Sequence, residues 1–469
     1  MSPLLFVTAW SLALPAQLGA PDSSLGAPPP MGLWLGAELG GGVVDHDPVI
    51  AASAGVGLEH EVLALHLRVP VAVRLFDLEP REPPSPALCT VVRCAEWTEG
   101  GALSAAALSR LLDEARVFHP GDLLHARAGK LSTTLGAGQL IDRYTNAAEW
   151  DRRHTGLYAE LNTGWRGAAA QAMVGNLLSP QELFGARFVA RPLQDPAGEG
   201  LGARLLGRMS VGLELAGDAV APAGVATDAT GALLPGAATR PLLGGAAELA
   251  WPLLDDGAVQ VEPWVGASAL SGLRPAEASA PGAGVGAALG LSATLDAAVV
   301  ALKMEARAVA DGPGHRSSVF STLYDVDRRR VLSLGGVLRD TGVAELPAPG
   351  GFGGRVGLEL RVLDLVRLAT MAHFDPVEEA SRLDASIDVG AGPVRVGARV
   401  IERAVTTPAA IGTFPERSLG VLEASWVFWA PFSLHARWLH APRLAAPTPR
   451  VDDDVVVGVA CNLVLSPGA

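Results

Sequence analysis

Charged residues occupy alternate positions in several apolar stretches of the chain. They fall into three groups: Lys303, Glu305 and Arg307; Glu359, Arg361 and Arg367; and Arg395 and Arg399. Alternate side chains of a β-strand point to the same face, so each stretch has one charged and one apolar face. Acids and bases along the wall of a water-filled passage would set a local field and bias which ions or solutes pass. The alternative is a network of ion pairs that braces the wall, because charges removed from water must be paired.

A second group of polar side chains lies close together in the sequence. It comprises Arg127, Lys130, Asp142, Arg143 and Tyr144. The same two interpretations apply to it, a field that selects solutes or a satisfied network of ion pairs. The Gly-Ala-Gly sequence at 136–138 is not followed by the rest of a phosphate-binding loop. It therefore predicts a tight turn or a bend in a strand.

Two-faced hairpins would position these side chains. In residues 356–362 apolar side chains alternate with Gly357, Glu359 and Arg361, and the alternation resumes over residues 366–374. A period of two predicts strands rather than helices. Only residues 363–365 separate the two arms, and a link this short forces an antiparallel hairpin.

Such arms recur about 20 times, and short links alternate with long connections rich in Gly and Pro. This pattern predicts an all-β fold, a single transmembrane antiparallel β-barrel of about 16–20 strands with short periplasmic turns and long extracellular loops. The barrel would occupy residues 32–465. A bilayer tolerates no open sheet edge, which would account for the unbroken run of hairpins. A soluble β-sandwich would show the same alternation, but its links would be of mixed length.

The N-terminal residues and the first long connection stand outside this rhythm. Residues 1–20 predict a secretory signal peptide, and residues 21–31 predict a Pro-rich spacer. Residues 76–122 predict a long loop with one short helix, because apolar residues recur at helical spacing over 103–115. This loop could narrow the mouth of a barrel or merely cover its rim.

Two cysteines lie close together in the same loop. Cys89 and Cys94 could form a disulfide in an oxidising compartment. They could instead begin a metal site, but no second Cys or His pair follows at ligand spacing. We therefore predict no metal and no cofactor.

Composition limits the partners. The 469 residues carry a formal net charge of -13, which argues against nucleic acid because phosphate binding needs a basic face. The chain is 49% hydrophobic, with a mean hydropathy of +0.30. The expected partners are outer-membrane lipid and lipopolysaccharide, together with small polar solutes or ions, and a homo-oligomer is compatible with the pattern.

One polar stretch carries a longer motif. It consists of Arg127-Ala128-Gly129-Lys130, then Leu135-Gly136-Ala137-Gly138-Gln139-Leu140-Ile141-Asp142-Arg143-Tyr144-Thr145-Asn146, then Gly156 and Leu161. Over residues 123–193 the chain resembles uncharacterised porin-like outer-membrane β-barrels of Gram-negative bacteria, in which a basic step leads to an LGHG-type turn and a (V/I)xRYxN segment. Ala137 stands where that family often has His, so no role of that His is carried over. The resemblance implies a location in the cell outer membrane and assigns no catalytic activity.

These patterns lead to three functional hypotheses. The first is a porin-like barrel through whose charged lumen ions or small polar solutes diffuse passively. The alternative is a non-conducting outer-membrane barrel with a structural or interaction role. The third is an outer-membrane lipid hydrolase, for which His373 with Asp375, or His435 near Ser433, supplies only fragments of a catalytic triad and no G-x-S-x-G motif is present. We therefore expect no enzymatic activity.

Overall fold

The structure, a computed structural model, describes the chain between residues 32 and 465 with several gaps. The residues outside it are 1–31, 45–46, 77–91, 93–97, 100–101, 104–110, 148–153, 195–205, 224–237, 256, 274–281, 323, 325–343, 345–347, 364, 376–380, 404, 406–417, 446–447 and 466–469. The predicted signal peptide and spacer lie outside the described residues, as do Cys89 and Cys94.

Twenty antiparallel strands form one sheet that closes on itself. In chain order they are β1 (Gly32–Val44), β2 (Asp47–His60), β3 (Leu63–Arg74), β4 (Leu112–Val117), β5 (Leu124–Gly129), β6 (Gly156–Asn162), β7 (Ala169–Val174), β8 (Phe184–Ala190), β9 (Ser210–Pro222), β10 (Thr239–Ala250), β11 (Val259–Ser271), β12 (Ala283–Asp296), β13 (Val300–Asp311), β14 (Gly351–Val362), β15 (Val366–Phe374), β16 (Arg382–Ala391), β17 (Val394–Arg403), β18 (Leu419–Trp429), β19 (Phe432–Ala445) and β20 (Thr448–Leu465). Each strand pairs with its sequence neighbours, and β1 pairs with β20, where Leu33 lies opposite Leu465. The predicted all-β barrel is confirmed, with a strand number inside the predicted range.

Most short connections lie at one end of the barrel, and the longest connections lie at the other; two residues also separate β1 from β2 and β19 from β20 at the end with the long connections. Turns of two or three residues follow the even-numbered strands, at 61–62, 297–299, 363–365, 392–393 and 430–431. The three longest connections follow odd-numbered strands, at 75–111, 130–155 and 312–350, and the one long connection after an even-numbered strand is 191–209, between β8 and β9. Outer-membrane barrels have short turns on the periplasmic side and long loops outside, so this asymmetry orients the barrel.

The outer surface of the barrel is apolar. Outward side chains such as Leu39, Val265, Val285 and Leu289 are 53–68% exposed in the isolated chain, while their sequence neighbours face the lumen. A closed sheet leaves no unpaired edge, and an apolar outer band suits lipid, so this surface fits a bilayer. Among the described residues, no helix is long and apolar enough to cross a membrane.

The predicted helix over 103–115 is wrong where the structure describes it. Residues Leu112–Val117 form strand β4, which pairs with β3 on one side and β5 on the other. Ala102–Leu103 pairs with Thr98–Glu99 in a short hairpin. Closure of the barrel requires a paired strand at this place, and such tertiary pairing outweighs a local helical spacing of leucines.

Two extracellular connections enter the lumen. The first inner segment, residues 131–146, belongs to the connection between β5 and β6, and the second inner segment, residues 315–322, belongs to the connection between β13 and β14. Within the first, Ser132–Thr133 pairs with Tyr144–Thr145. The two segments pair with each other in parallel, with Phe320 opposite Ile141. Most of residues 76–122 lies outside the described residues, so their predicted narrowing of the barrel stays a prediction.

Candidate functional site in the lumen

The first inner segment packs its apolar side chains against the lumen wall. Leu131, Leu135, Leu140, Ile141 and Tyr144 are 0–1% exposed. They share one apolar cluster with residues of the wall and of the second inner segment, which include Tyr158, Met173, Leu183, Ala216, Leu242, Leu270 and Phe320. On the side of β6 to β11, the lumen is therefore filled by a packed apolar core.

Glycines in the wall make room for this core. At Gly185 of β8 an added Cβ would collide with Ile141 Cδ1 and lie 2.8 Å from Leu135 Cδ1. At Gly244 of β10 it would lie 2.9 Å from Leu140 Cδ2. Atoms this close cannot coexist with a side chain, so the wall is shaped for the segment that it holds.

Polar contacts hold the tip of the first inner segment. Ala137 N–H donates to Glu248 Oε2 (2.8 Å), and Ile141 N–H donates to Glu214 Oε1 (3.1 Å). Arg307 donates to the carbonyl oxygen of Gly138 (2.8 Å). Gly138 has a φ of 72°, a left-handed conformation that favours glycine. Of the two predicted alternatives, a tight turn or a bend in a strand, the Gly-Ala-Gly sequence forms the tight turn.

The second inner segment reinforces this tip. Ser318 N–H donates to the carbonyl oxygen of Gln139 (2.7 Å), and Phe320 N–H donates to that of Leu140 (3.1 Å). The hydroxyl of Thr322 donates to the carbonyl oxygen of Arg143 (2.8 Å). The backbone of the tip is therefore held from two sides, by the wall and by a second loop.

A row of basic side chains crosses five adjacent strands at one level. In register, Arg307 lies opposite Arg355, Arg355 opposite His373, His373 opposite Arg382, and Arg382 opposite Arg403. Directly opposite residues share a face of the sheet, and Arg307 and Arg355 reach the first inner segment, so this face is the lumen. We call these five residues the basic row.

Asp142 of the first inner segment docks on the basic row. Its carboxylate is 0% exposed and forms an ion pair with Arg355. Burial alone would raise the pKa of Asp142, but the charges of Arg355 and Arg307 outweigh it and hold this pKa well below its ordinary value of 3.8. The carboxylate is therefore ionised at any physiological pH and bridges the inner segment to the wall opposite its apolar core.

Two arginines beside Asp142 have no carboxylate partner within 4 Å in the part of the chain that the structure describes. The guanidinium of Arg143, which is partly exposed, contacts Met371 Sδ at 3.6 Å. Arg382 donates from Nη1 to Ser321 Oγ (2.7 Å), while its buried Nη2 has no hydrogen-bond partner among the described atoms. The site thus keeps donors that protein carboxylates do not occupy.

The wall from β14 to β20 and on to β3 carries paired charges that water reaches. Glu359 pairs with Arg367 (2.7 Å) and Glu423 with Arg437 (3.1 Å), and these side chains are 13–22% exposed. Arg68 pairs with Glu38 (2.5 Å) in the same manner. This side of the lumen is polar and partly accessible to solvent, in contrast to the apolar core on the other side.

A Ser-His-Asp arrangement lies where the second inner segment leaves the wall. Ser268 Oγ is 3.0 Å from His315 Nε2, and His315 Nδ1 is 2.7 Å from Asp311 Oδ1. Serine hydrolases use the same order of groups. The imidazole side chain is 0% exposed, however, and an added Cβ at Gly286 would lie 2.5 Å from its Cε1. We interpret the arrangement as structural: it fixes the start of the second inner segment to the wall, because Asp311 also accepts hydrogen bonds from Ser317 N–H and Oγ.

The strand residues predicted from alternation fall at two levels. Arg307 belongs to the basic row, and Glu305 lies one step nearer the periplasm, 3.3 Å from Arg355. Lys303, Glu359, Arg361, Arg367 and Arg395 follow further toward the periplasmic end. Arg399 forms two hydrogen bonds with Asp384, at 2.6 and 3.1 Å.

The second predicted group is divided. Asp142 and Arg143 lie together at the basic row, whereas Lys130 pairs with Asp113 (3.5 Å) and Arg127 lies over the ring of Tyr158 (5.4 Å to the centroid).

The prediction for Tyr144 needs a correction. Its side chain is 0% exposed inside the apolar core and does not line the solvent-accessible side of the lumen. An aromatic ring packed in an apolar cluster gains more from burial than from facing a lumen.

Sequence reasoning missed several members of the site. Arg355, Arg382, Glu214 and Glu248 were not predicted, although Arg355 continues the alternation of Glu359 and Arg361 toward the outer end. The second inner segment was also missed. Its sequence reads as an ordinary polar connection, and only the register that brings it to Ile141 reveals its place.

A closed barrel of twenty antiparallel strands, apolar outside and charged inside, defines the class of this protein. It is an outer-membrane β-barrel, and its location is the cell outer membrane. The predicted resemblance to porin-like outer-membrane barrels is confirmed at the level of the fold.

Comparisons with known proteins give only distant likenesses. No protein-family model matches the sequence, and no curated protein matches it. Among solved structures, the outer membrane protein opdK from Pseudomonas aeruginosa is 11% identical over 93% of this chain and 98% of that chain, with a TM-score of 0.35. Wzi, a carbohydrate-binding β-barrel involved in group 1 capsule assembly in Escherichia coli, is 11% identical over 93% of this chain and 85% of that chain, with a TM-score of 0.32. Similarity at this level reflects general architecture and carries no information about solute or partner.

Proposed function

We propose that this outer-membrane barrel is a porin-like channel for the passive diffusion of ions and small polar solutes. One observation carries the proposal, the charge-paired and partly solvent-accessible wall that faces the inner segments. Mutually paired acids and bases of both signs, such as Glu359 with Arg367, suit an aqueous path better than a greasy ligand pocket. The inner segments then act as a constriction that occupies one side of the path.

The alternative is a non-conducting barrel with a structural or interaction role. In that case the inner segments would close the lumen completely, and the charged wall would only brace the sheet. The two functions differ in one property, the passage of small solutes.

Liposome swelling tests this property. Purified protein in liposomes loaded with an impermeant polymer is expected to cause swelling when the vesicles are diluted into an isotonic solution of an uncharged pentose. Protein-free liposomes provide the baseline, and a folded barrel is verified by its shift on unheated gels. Folded protein that produces no swelling at high load would contradict the channel and favour the non-conducting barrel.

The third hypothesis is an outer-membrane lipid hydrolase, and the arrangement of Ser268, His315 and Asp311 is the feature of the described residues that bears on it. The histidines first considered for this activity lie elsewhere: His373 Nε2 is 4.0 Å from Asp375, and His435 Nε2 is 2.9 Å from Glu38. Because the ring of His315 is fully enclosed, we propose that the protein has no hydrolase activity.

A fluorophosphonate probe tests the hydrolase directly. The probe reacts with serine hydroxyls that a histidine base activates and that solvent can reach. We expect equal, background labelling of the native protein and of Ser268→Ala. Labelling of the native protein that Ser268→Ala abolishes would overturn this expectation and establish a reactive serine.

A further inference from the structure

We infer that the basic row and Arg143 form a binding site within the lumen for small anions that carry a carboxylate or phosphate group. This inference rests on the proposed channel function and names the class of solute that the constriction favours. It depends on three observations. The charge is positive at the level of the basic row, some guanidinium N–H donors there have no acceptor among the described residues, and the carboxylate of Asp142 already binds to the row.

The charge balance is positive. Arg143 and three members of the basic row, Arg307, Arg355 and Arg382, lie close together around Asp142, whereas Arg403 lies at the β17 end of the row and is not counted here. The carboxylates close to them are Asp142, which pairs with Arg355, and Glu305, 3.3 Å from the same arginine. Four guanidinium groups against two carboxylates leave two unit charges in excess. The neighbouring level adds none, because Arg399 is matched by Asp384.

The excess charge is carried by donors without acceptors. Among the described residues, Arg143 has no ion pair and is partly exposed, and Arg382 has a terminal nitrogen, Nη2, without a hydrogen-bond partner. A guanidinium group presents a planar fork that matches the two oxygens of a carboxylate or phosphate. An anion that passes Arg143 can therefore exchange water for charge-assisted hydrogen bonds.

Asp142 shows that the row accepts a carboxylate. This side chain is brought by a loop, not by the wall, and it is fully buried against Arg355. It pairs with Arg355, whereas Arg143 and Arg382 form no ion pair within 4 Å among the described residues and have the carboxylate of Asp384 only as a more distant neighbour. The first inner segment thus supplies the carboxylate of Asp142, which binds to the row, and the guanidinium of Arg143, which is partly exposed.

Ion selectivity in planar bilayers tests the inference. Under a gradient of KCl at low ionic strength, the reversal potential of the native protein is expected to show a preference for chloride over potassium. Arg143→Gln is expected to lower the ratio of chloride to potassium permeability about five-fold, the factor that one unit charge a few ångströms away supplies in a watery medium. Arg143→Gln combined with Arg382→Gln is expected to remove the preference.

Arg166→Gln is the matched control. Arg166 is exposed in the periplasmic turn between β6 and β7, so this variant loses the same charge outside the lumen, and its permeability ratio should equal that of the native protein. The backbone of residue 143, not its side chain, is anchored to Thr134 and Thr322, so Arg143→Gln should remain folded, which the shift on unheated gels verifies.

Two added anions identify the chemistry. Succinate or inorganic phosphate is expected to reduce the chloride current of the native protein in proportion to the fraction of sites that the anion occupies. The chloride current of the double variant is expected to remain unchanged. The more effective of the two identifies the preferred head group. A conducting protein without chloride preference, or without inhibition by either anion, would overturn the inference alone. The absence of any current would overturn the proposed channel, and the inference with it.

Discussion

Replacing Asp142 by Asn is expected to release the first inner segment from the wall of the lumen. The substitution keeps the shape of the side chain but removes the one charge that this segment offers to Arg355 and Arg307. Breaking a buried ion pair from one side is costly because the remaining charge stays buried, so the loss of stability should be at least about 3 kcal/mol. We expect single-channel conductance to rise and to become noisy as the segment leaves its place.

Glu305→Gln provides a matched control for this change. Glu305 is the other partner of Arg355, at 3.3 Å, but its side chain is 29% exposed and does not belong to the inner segment. Exposed pairs contribute about 0–1 kcal/mol, so stability and channel noise should change little. We call the ion pair between Asp142 and Arg355 the latch. Equal effects of Asp142→Asn and Glu305→Gln, in urea unfolding and in bilayer recordings, would contradict its role in holding the inner segment.

The same ion pair predicts a pH response. Because the pKa of Asp142 is held well below its ordinary value, its contribution to stability is present above that ordinary value and is lost only as the pH falls through the lowered pKa. At about pH 4 the single-channel current of the native protein should therefore remain steady and should not acquire the higher, noisy conductance expected of Asp142→Asn.

Replacing Gly185 by Leu is expected to be the most disruptive change in the wall. Any Cβ at this position collides with Ile141 and presses on Leu135, and the added branches enter a core that is already packed. Overpacking typically costs about 1–3 kcal/mol, and here the wall cannot yield without breaking its pairing with β7 and β9. The inner segment should give way instead.

Gly245→Leu tests whether the location or the leucine is responsible. Gly245 lies on β10 and faces outward, and the nearest atom to an added Cβ, the carbonyl oxygen of Glu214, is 3.7 Å away. A leucine there meets lipid. The midpoint of urea unfolding should fall for Gly185→Leu and remain unchanged for Gly245→Leu. Similar midpoints for the two variants would show that the inner segment does not rest against β8.

The strands could be predicted from the sequence because their side chains alternate between two environments, the lumen and the lipid, and this gives the sequence a period of two. Glu359, Arg361 and Arg367 face water, and the apolar residues between them face lipid, so each strand can be recognised without its partners. For this reason the barrel, its approximate strand number and most of its charged lumen residues were predictable.

The inner segments were not predictable in the same way. Leu131, Leu135, Leu140, Ile141 and Tyr144 follow neither a period of two nor one of 3.6, so nothing local distinguishes burial in a lumen from burial in a loop. The latch joins Asp142 to Arg355 across 213 positions of sequence. Contacts of this kind depend on how the closed barrel brings distant strands together, and Tyr144 was misplaced for the same reason.

The most direct test of the central claim, a water-filled path beside a fixed constriction, is the single-channel record of the unmodified protein in planar bilayers. We predict discrete and steady current steps of uniform size, which persist at about pH 4 because Asp142 remains ionised. Folded protein that inserts into the bilayer and produces no steps at high load would contradict the account, since the inner segments would then close the lumen rather than narrow it.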